Sequence, residues 1–356
     1  MRVAVVGGGI MGLATALELA RRGERVVVHE RDIVGNPLGA STDRSKVFRF
    51  AYPDPFYADL GRRALALWRE IETESGEPLL EQCGLLYLDT AGVEAEAVDS
   101  ALATIGAPHE LLDGRAITQR FPSFTVPDGT RAAFDPSGGF VRADRAVAAF
   151  ARRARDAGVD IREHDPVIDL LDELRNGPVV LAAGPWSPAL HPGLPIRTTV
   201  QETVYARPRQ AAPFAAGRFP VFIEARSGYY GFPLHADGAV KLARHKPVVE
   251  HPALSQQGPA SAAFVEECRS FWRTFVPELA DATIASSRLC IYDNTPDEDF
   301  LIGRASSGVV LCTGFSGHGF KFAPIVGRLC AQIVCGEPTD VDVSRFDPAR
   351  PVRFAR

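Results

Sequence analysis

Residues 2–30, RVAVVGGGIMGLATALELARRGERVVVHE, decide the fold of this 356-residue chain. Residues 2–6 are a short run of mainly valine, residues 10–22 have the alanine and leucine pattern of a helix that ends at Gly23, and residues 26–28 are a second apolar run. A strand, a helix and a second strand in this order predict a βαβ unit with parallel strands. The chain therefore begins with a Rossmann-like α/β domain.

The turn between the first strand and the helix has the pattern GxGxxG at Gly7, Gly9 and Gly12. Gly7 permits a tight turn, Gly9 lets the backbone approach a pyrophosphate, and Gly12 lets the helix pack closely on the sheet. Glu30 follows the second strand, where a carboxylate accepts hydrogen bonds from the ribose hydroxyls and repels a 2′-phosphate. These residues predict a dinucleotide site for FAD or NAD, rather than NADP.

Composition excludes several other classes of protein. With 46% hydrophobic and 23% charged residues, a net charge of −5 and no basic block, the chain has a sizeable core and lacks the charge pattern of a nucleic-acid-binding protein. It has no apolar run of the roughly 18 residues that cross a bilayer and no leader at its start, so we expect a cytoplasmic protein. Its cysteines form no CxxC, so neither a disulfide framework nor a metal site is expected. They are Cys83, Cys268, Cys290, Cys312, Cys330 and Cys335.

The rest of the chain alternates between two kinds of pattern. Helical periodicity at residues 55–72 and 144–157, with an apolar strand at 179–183, fits the nucleotide domain. Alternating strands between residues 199 and 292, with a helix near 262–275, predict a second, α+β substrate domain on a mixed or antiparallel sheet. A strand at 309–312, the loop GFSGHGF and a helix at 321–335 close the chain. The predicted domains are a discontinuous dinucleotide-binding domain of residues 1–78, 136–198 and 294–356, and a substrate domain of residues 79–135 and 199–293.

Several strings, taken together, resemble the monomeric sarcosine oxidase family of FAD-dependent amine oxidases, within the D-amino-acid oxidase and glycine oxidase group. They are the opening GGGIMGLATALELARRG, KVFRFAY from Lys46, YYGFP from Tyr229, VKLARH from Val240, LCIYDNTPDEDFLIG from Leu289 and GFSGHGFKF from Gly314. The resemblance implies an enzyme that removes a hydride from the carbon beside an amine nitrogen, giving an imine, while O2 becomes H2O2. A secondary or N-methyl amino acid is the expected substrate, and a monomer is the expected form.

The resemblance also implies a set of catalytic residues. Arg49 and Lys321 match the positions that hold the substrate carboxylate, and two converging cations suit that role. Lys241 matches the oxygen-activating lysine; on an apolar strand its ammonium is expected to point inward. His245 and Tyr230 match positions near the substrate, where they shape the pocket or tune the protonation of the amine. His318 belongs to the same expected set, as a further hydrogen-bond donor or as a residue that orients its loop.

FAD contacts are implied along the chain. The loop GFSGHGF leads into a helix, so its amides and the helix N-terminus are expected to stabilise negative charge on the flavin. Cys290 matches a cysteine that carries flavin covalently through its 8-methyl carbon, which predicts covalent FAD. The cofactor residues implied beyond the opening glycines and Glu30 are Arg31, Lys46, Val167, Cys290, Gly314, Phe315, Gly317, His318, Gly319 and Lys321.

Two features depart from the family pattern. Lys46 stands where relatives usually have arginine, and an ammonium does not reproduce a planar guanidinium. Residues 167–177, VIDLLDELRNG, are shorter than the hairpin that relatives carry over the adenosine, which makes a covalent tether more useful.

Other functions remain open at this stage. The substrate could instead be a cyclic imino acid, glycine or a biosynthetic intermediate. An NAD-dependent opine-type dehydrogenase shares the opening glycine pattern, and a flavin-binding protein without turnover shares the fold.

Overall fold

The computed structural model describes residues 1–245, 249–250, 258–352 and 354. The strands are β1 (Arg2–Val6), β2 (Arg25–His29), β3 (Lys46–Phe48), β4 (Leu80–Glu81), β5 (Leu85–Asp89), β6 (Glu110–Asp113), β7 (Arg131–Asp135), β8 (Gly139–Val141), β9 (Asp160–Arg162), β10 (Val179–Leu181), β11 (Arg197–Arg207), β12 (Val221–Glu224), β13 (Tyr229–Phe232), β14 (Val240–Arg244), β15 (Val249–Glu250), β16 (Thr283–Asn294), β17 (Leu301–Arg304) and β18 (Val310–Thr313). The helices are α1 (Ile10–Arg21), α2 (Pro55–Ser75), α3 (Val93–Thr104), α4 (Gly114–Arg120), α5 (Ala143–Asp156), α6 (Leu170–Leu174), α7 (Ser187–Leu190), α8 (Ala262–Phe275) and α9 (Ala323–Cys335).

A six-stranded sheet contains the opening βαβ unit. Its strand order is β17-β18-β10-β1-β2-β9, with parallel pairs throughout except for the edge strand β17. Helix α1 connects β1 to β2, and Gly23 follows it with a φ of +81°. The predicted Rossmann-like α/β unit is thus confirmed. The carboxyl ends of β1 and β2 lie side by side, which is where such sheets bind nucleotides.

A nine-stranded mixed sheet forms the second layer. Its order is β15-β11-β14-β13-β12-β5-β7-β6, and β16 also pairs with β11. The pair β5 and β12 is parallel, and the other pairs are antiparallel. The predicted α+β layer on a mixed sheet is therefore confirmed. Its strands come from residues 85–135 and 197–294, whereas those of the six-stranded sheet come from residues 2–29, 160–181 and 301–313. The domain boundaries themselves stay a prediction.

Close helix packing fixes the position of α1. A Cβ atom on Gly327 of α9 would lie 2.6 Å from the backbone of Ala14 in α1, so this contact requires glycine. A large core cluster that includes Trp68 and Phe150 fills the space around these helices. A second cluster, with Phe222 and Trp272, packs α8 against the nine-stranded sheet.

The closing helix begins later than predicted. Lys321 lies in a single 3-10 turn, Phe320–Phe322, and α9 starts at Ala323. Pro324 suits the first turn of a helix because its missing N–H has no intrahelical partner there, which explains the later start. Residues 167–177, for which the sequence predicted no element, contain the short helix α6, whose Leu170 is buried. In the described part of the chain, no helix combines the length and apolar character needed to cross a membrane.

Candidate active site

One cavity of about 710 Å³ lies between the two sheets. Its wall is built from several separate segments. They are the β1–α1 turn, the end of β2, parts of residues 35–54 and 315–321, strands β12 to β14 and the end of β16. This volume is in the range of small-molecule and cofactor sites. All of these segments belong to one chain.

The opening glycines form one end of the cavity as a bare backbone cradle. Gly7 has a φ of +111°, and a Cβ there would lie 2.5 Å from the carbonyl oxygen of Ala182. Gly9 caps the N-terminus of α1. A Cβ on Gly12 would lie 1.9 Å from the oxygen of Gly7, so Gly12 brings helix and strand together without lining the cavity. Gly7 and Gly9 leave room for a pyrophosphate where the helix dipole favours negative charge.

Glu30 lies beside this cradle and is buried. Its Oε2 accepts a hydrogen bond from Gly8 N at 2.7 Å, and its Oε1 accepts one from Asp32 N at 2.9 Å. The carboxylate is therefore held in place and keeps further lone pairs for ribose hydroxyls. Arg31 stacks on Trp186 at 4.2 Å, and Val167 lines the wall nearby.

Lys241 lies on β14, an inner strand between β11 and β13, and its side chain faces the cavity. Its Nζ donates to Oδ2 of Asp43 at 2.7 Å and to the carbonyl oxygen of Ser45 at 2.9 Å. Tyr205 also donates to the Asp43 carboxylate. Lys241 holds the pKa of Asp43 well below its usual range, whereas burial lowers the pKa of Lys241.

Arg49, Tyr52 and Lys321 form a cationic end of the cavity. The Arg49 guanidinium stacks on the Tyr52 ring at 3.8 Å and donates to the carbonyl oxygen of Ala51 at 2.7 Å. Lys321 Nζ donates to the Tyr52 hydroxyl at 2.8 Å and to the carbonyl oxygen of His318 at 2.5 Å. Within the described ranges, no carboxylate forms a salt bridge with Arg49 or Lys321. Two converging basic side chains that form no salt bridge are suited to bind an anion.

Aromatic and histidine side chains complete this end. The hydroxyls of Tyr230 and Tyr292 lie 3.2 Å apart, and the His245 ring lies 5.6 Å from the Tyr292 ring. Burial, Arg49 and Lys321 lower the pKa of His245 to about 4, so its imidazole is neutral at neutral pH. His318 Nδ1 lies 3.2 Å from the Tyr52 hydroxyl, and burial likewise holds the pKa of His318 well below its usual range.

Cys290 is buried behind the cavity and is not one of its lining residues, although the next residues, Ile291 and Tyr292, are. Its Sγ lies 3.7 Å from Nζ of Lys46, which does line the cavity. Lys46 also lies 3.7 Å from the Asp43 carboxylate.

The GFSGHGF loop differs in part from the expectation that its amides serve the flavin. Phe315, Gly317, His318 and Gly319 line the cavity, but Gly314 does not. Gly314 N donates instead to Oδ2 of Asp293 at 2.8 Å. One of the loop amides thus donates its hydrogen bond to a protein carboxylate, because Asp293 lies at the end of β16 beside the loop. Burial raises the pKa of Asp293 to about 6.

Sequence reasoning missed four residues of this wall, Ser41, Tyr52, Asp293 and Cys312, and it also missed Asp43, which lies behind the wall as the partner of Lys241. Ser41 Oγ accepts from Ile10 N at 3.0 Å at the start of α1. Tyr52 stands inside the quoted string KVFRFAY, and Asp43 lies three residues before Lys46, so position relative to a motif was the available signal. Among the described residues, no three His, Cys, Asp or Glu side chains group as a metal ion requires.

The glycine cradle and the two basic side chains line one cavity, which is the arrangement typical of an enzyme with a dinucleotide cofactor and a small-molecule substrate. The chain belongs to the family of FAD-dependent oxidoreductases described as "DAO: FAD dependent oxidoreductase", which matches residues 2–333. This membership decides between the two cofactors in favour of FAD, and the bare cradle and the held carboxylate of Glu30 fit that group.

Similar proteins include amino acid oxidases. The chain is 30% identical to N-methyl-L-tryptophan oxidase from Yersinia pestis (strain Pestoides F) over 367 residues, covering 97% of this chain and 98% of that protein. NikD, an unusual amino acid oxidase essential for nikkomycin biosynthesis, superposes with a TM-score of 0.80 at 25% identity over 99% of each chain. L-proline dehydrogenase from P. horikoshii shares the fold, with a TM-score of 0.84 at 24% identity over 98% of this chain and 97% of that one.

Proposed function

We propose that this protein is an FAD-dependent oxidase of a secondary or N-methyl amino acid, which oxidises the C–N bond to an imine and reduces O2 to H2O2. The observation that carries the proposal is the pair of basic side chains Arg49 and Lys321, which form no salt bridge within the described residues and line the same cavity as the dinucleotide cradle. The 30% identity to an N-methyl-L-tryptophan oxidase over nearly the full chain supports this substrate class.

In this proposal, one group of cavity residues binds the substrate and another binds FAD. Arg49 and Lys321 hold the substrate carboxylate, while neutral His245 and the Tyr230 hydroxyl line the space beside the amine. FAD, when bound, supplies the acceptor for the hydride and passes the electrons to O2. Gly7, Gly9 and Glu30 hold its pyrophosphate and ribose, and Lys241 supplies positive charge near the place where O2 reacts.

The proposal includes a covalent link between Cys290 and the flavin. Support comes from the adjoining wall residues Ile291 and Tyr292 and from the Lys46 ammonium, which lies 3.7 Å from Sγ and can stabilise negative charge there. The bond requires the Cys290 side chain to turn toward the cavity.

The first experiment is the visible spectrum of the purified protein before and after acid precipitation. Yellow colour that stays in the pellet, and moves to the supernatant in Cys290→Ser, supports the covalent link. Colour released from the unaltered protein would remove the link and keep the oxidase. A colourless protein that does not take up FAD would contradict the proposal as a whole.

A substrate screen then tests the reaction. N-methyl-L-tryptophan, sarcosine, pipecolate, L-proline and glycine are mixed with the holoenzyme without oxygen, and loss of flavin absorbance identifies a substrate. Peroxide formed in equal amount to imine after air is admitted supports O2 as the acceptor. Bleaching that air does not reverse would instead identify a dehydrogenase.

We also propose a monomer that works in the cytoplasm with O2. Support comes from a cavity built by one chain and from six free cysteines, which are typical of reducing compartments. Light scattering during size-exclusion chromatography measures the oligomeric state.

A further inference from the structure

Lys321 has an incomplete set of hydrogen-bond partners. An ammonium group has three protons to donate, and the described residues offer Nζ two acceptors, the Tyr52 hydroxyl and the His318 carbonyl oxygen. The side chain is 3% exposed and lines the cavity. The third position on Nζ therefore faces the space where the substrate binds.

The charges around Lys321 do not favour a buried ammonium. Arg49 packs on the other side of Tyr52, and the two histidines that face this site, His245 and His318, contribute no negative charge. The Glu298 carboxyl group also lines the cavity and interacts with Arg49 and Tyr52, but burial raises its pKa. Tyr52 itself is neutral because burial raises the pKa of its hydroxyl. Burial and the Arg49 charge lower the pKa of Lys321 well below its usual range. Before substrate binds, the third position on Nζ is thus suited to a lone pair.

We propose that Lys321 meets the substrate as a neutral amine and takes the proton from the substrate's ammonium group. The N–H bond of the ammonium breaks and its electron pair stays on the substrate nitrogen, while a new N–H bond forms at Nζ. The total charge of the pair is unchanged, so no further reactant is needed. This inference rests on the proposed function, because it requires an amino acid in this cavity.

The transfer solves two problems of the reaction together. An amino acid arrives as a zwitterion, and its nitrogen must be neutral before the neighbouring carbon releases a hydride. Once protonated, Lys321 can form an ion pair with the carboxylate of the substrate. The substrate carboxylate thus stabilises the positive charge that the substrate ammonium has passed to Lys321. The protonated lysine and Arg49 then hold the carboxylate together.

Proton counting on binding tests this directly. The probe is methoxyacetate, a carboxylate without an amine, titrated into the holoenzyme by calorimetry at mildly alkaline pH in buffers of different ionisation enthalpy. We expect uptake of about one proton per bound carboxylate, because Lys321 must take its proton from the buffer. Sarcosine, titrated into dithionite-reduced holoenzyme without oxygen, is expected to bind with no net uptake because it brings its own proton.

Three variants identify the group that is protonated. Lys321→Arg carries a permanent charge and should bind methoxyacetate with no proton uptake. Lys321→Met should lose uptake and bind at least tenfold more weakly, with flavin absorbance as the check on folding. His245→Asn should keep the uptake, because the proton belongs to the lysine.

The results separate the two hypotheses. Binding of methoxyacetate without uptake in the unaltered enzyme, or uptake that persists in Lys321→Arg, would overturn the role of Lys321 and leave the oxidase in place. Failure of both methoxyacetate and sarcosine to bind would overturn the proposed amino acid site, and the proton transfer with it.

Discussion

Nζ of Lys241 lies 2.7 Å from Oδ2 of Asp43, and both side chains are almost completely removed from water. The same carboxylate lies 3.7 Å from Lys46 and accepts a hydrogen bond from Tyr205. Two cations of the cavity wall thus share one buried anion behind it, so the Lys241 ammonium is fixed in direction and part of its charge is cancelled. Arg49 and Lys321 differ from this pair, because neither forms a salt bridge with a carboxylate in the described part of the chain.

Asp43→Asn should destabilise the protein by about 3–5 kcal/mol, because it leaves Lys241 buried without a counter-ion. The double variant Asp43→Asn with Lys241→Met should recover much of this loss, since it buries no unpaired charge. The measurement is the thermal midpoint of the holoenzyme by circular dichroism. A single variant as stable as the unaltered protein would show that the pair contributes nothing.

His245 should make stability depend on pH. Its folded pKa of about 4 lies below the ordinary 6.5, so between these values the unfolded chain binds more protons and stability rises with pH. The loss in the free energy of unfolding that His245 causes is at most about 3 kcal/mol. This loss is complete below about pH 4 and absent above about pH 6.5. His245→Asn should therefore gain stability relative to the unaltered protein only at acid pH. Urea midpoints across this range, compared between the two proteins, measure the difference; a constant difference would contradict it.

Gly317→Ala should cost flavin binding as well as stability. Gly317 has a φ of +72°, and a Cβ there would lie 2.1 Å from the Tyr292 ring, so the ring must move. Gly336→Ala is the matched control, because Gly336 has a φ of +71° and open space around it. The control should lose about 1 kcal/mol from backbone strain and keep its flavin. Flavin absorbance per chain and the thermal midpoint separate the two effects; equal losses would exclude a role for the Tyr292 contact.

Glu30→Gln should weaken noncovalent FAD binding at least about tenfold. The two carboxylate oxygens now accept hydrogen bonds from Gly8 N and Asp32 N, and in the variant an amide nitrogen would face one of these N–H groups. The comparison uses Cys290→Ser protein, so that any covalent link does not hide the change, and titrates FAD by fluorescence quenching. Glu96→Gln, on an exposed acid that pairs with Arg131, should have no effect. Unchanged affinity in Glu30→Gln would remove Glu30 from the cofactor site.

The dinucleotide half of the site was predictable because its signals are local. Gly7, Gly9, Gly12 and Glu30 lie within 24 consecutive residues, and the turn, the helix start and the strand end that they form depend on near neighbours. The structure adds a measure of why glycine is needed at position 12, where a Cβ would lie 1.9 Å from the oxygen of Gly7.

The pairing of Asp43 with Lys241 was not predictable in the same way. The two residues are 198 positions apart, and only the placement of β14 within the nine-stranded sheet brings them together. Asp293 was missed for a similar reason. Its carboxylate accepts a hydrogen bond from Gly314 N only because β16 ends beside the glycine loop. Residues 167–177 show a third limit, because helix α6 is only five residues long and has too little periodicity to be recognised.

The order of strands also has a consequence for how the chain folds as it is made. β10 lies between β1, at the very start of the chain, and β18, which begins at Val310. All strands of the nine-stranded sheet are therefore synthesised before β18 can pair with β10. Until then, the edge of β10 that faces β18 has unpaired backbone groups. Such distant pairing makes folding slow, so the edge of β10 that pairs with β18 is open to wrong pairing while residues 182–309 are synthesised.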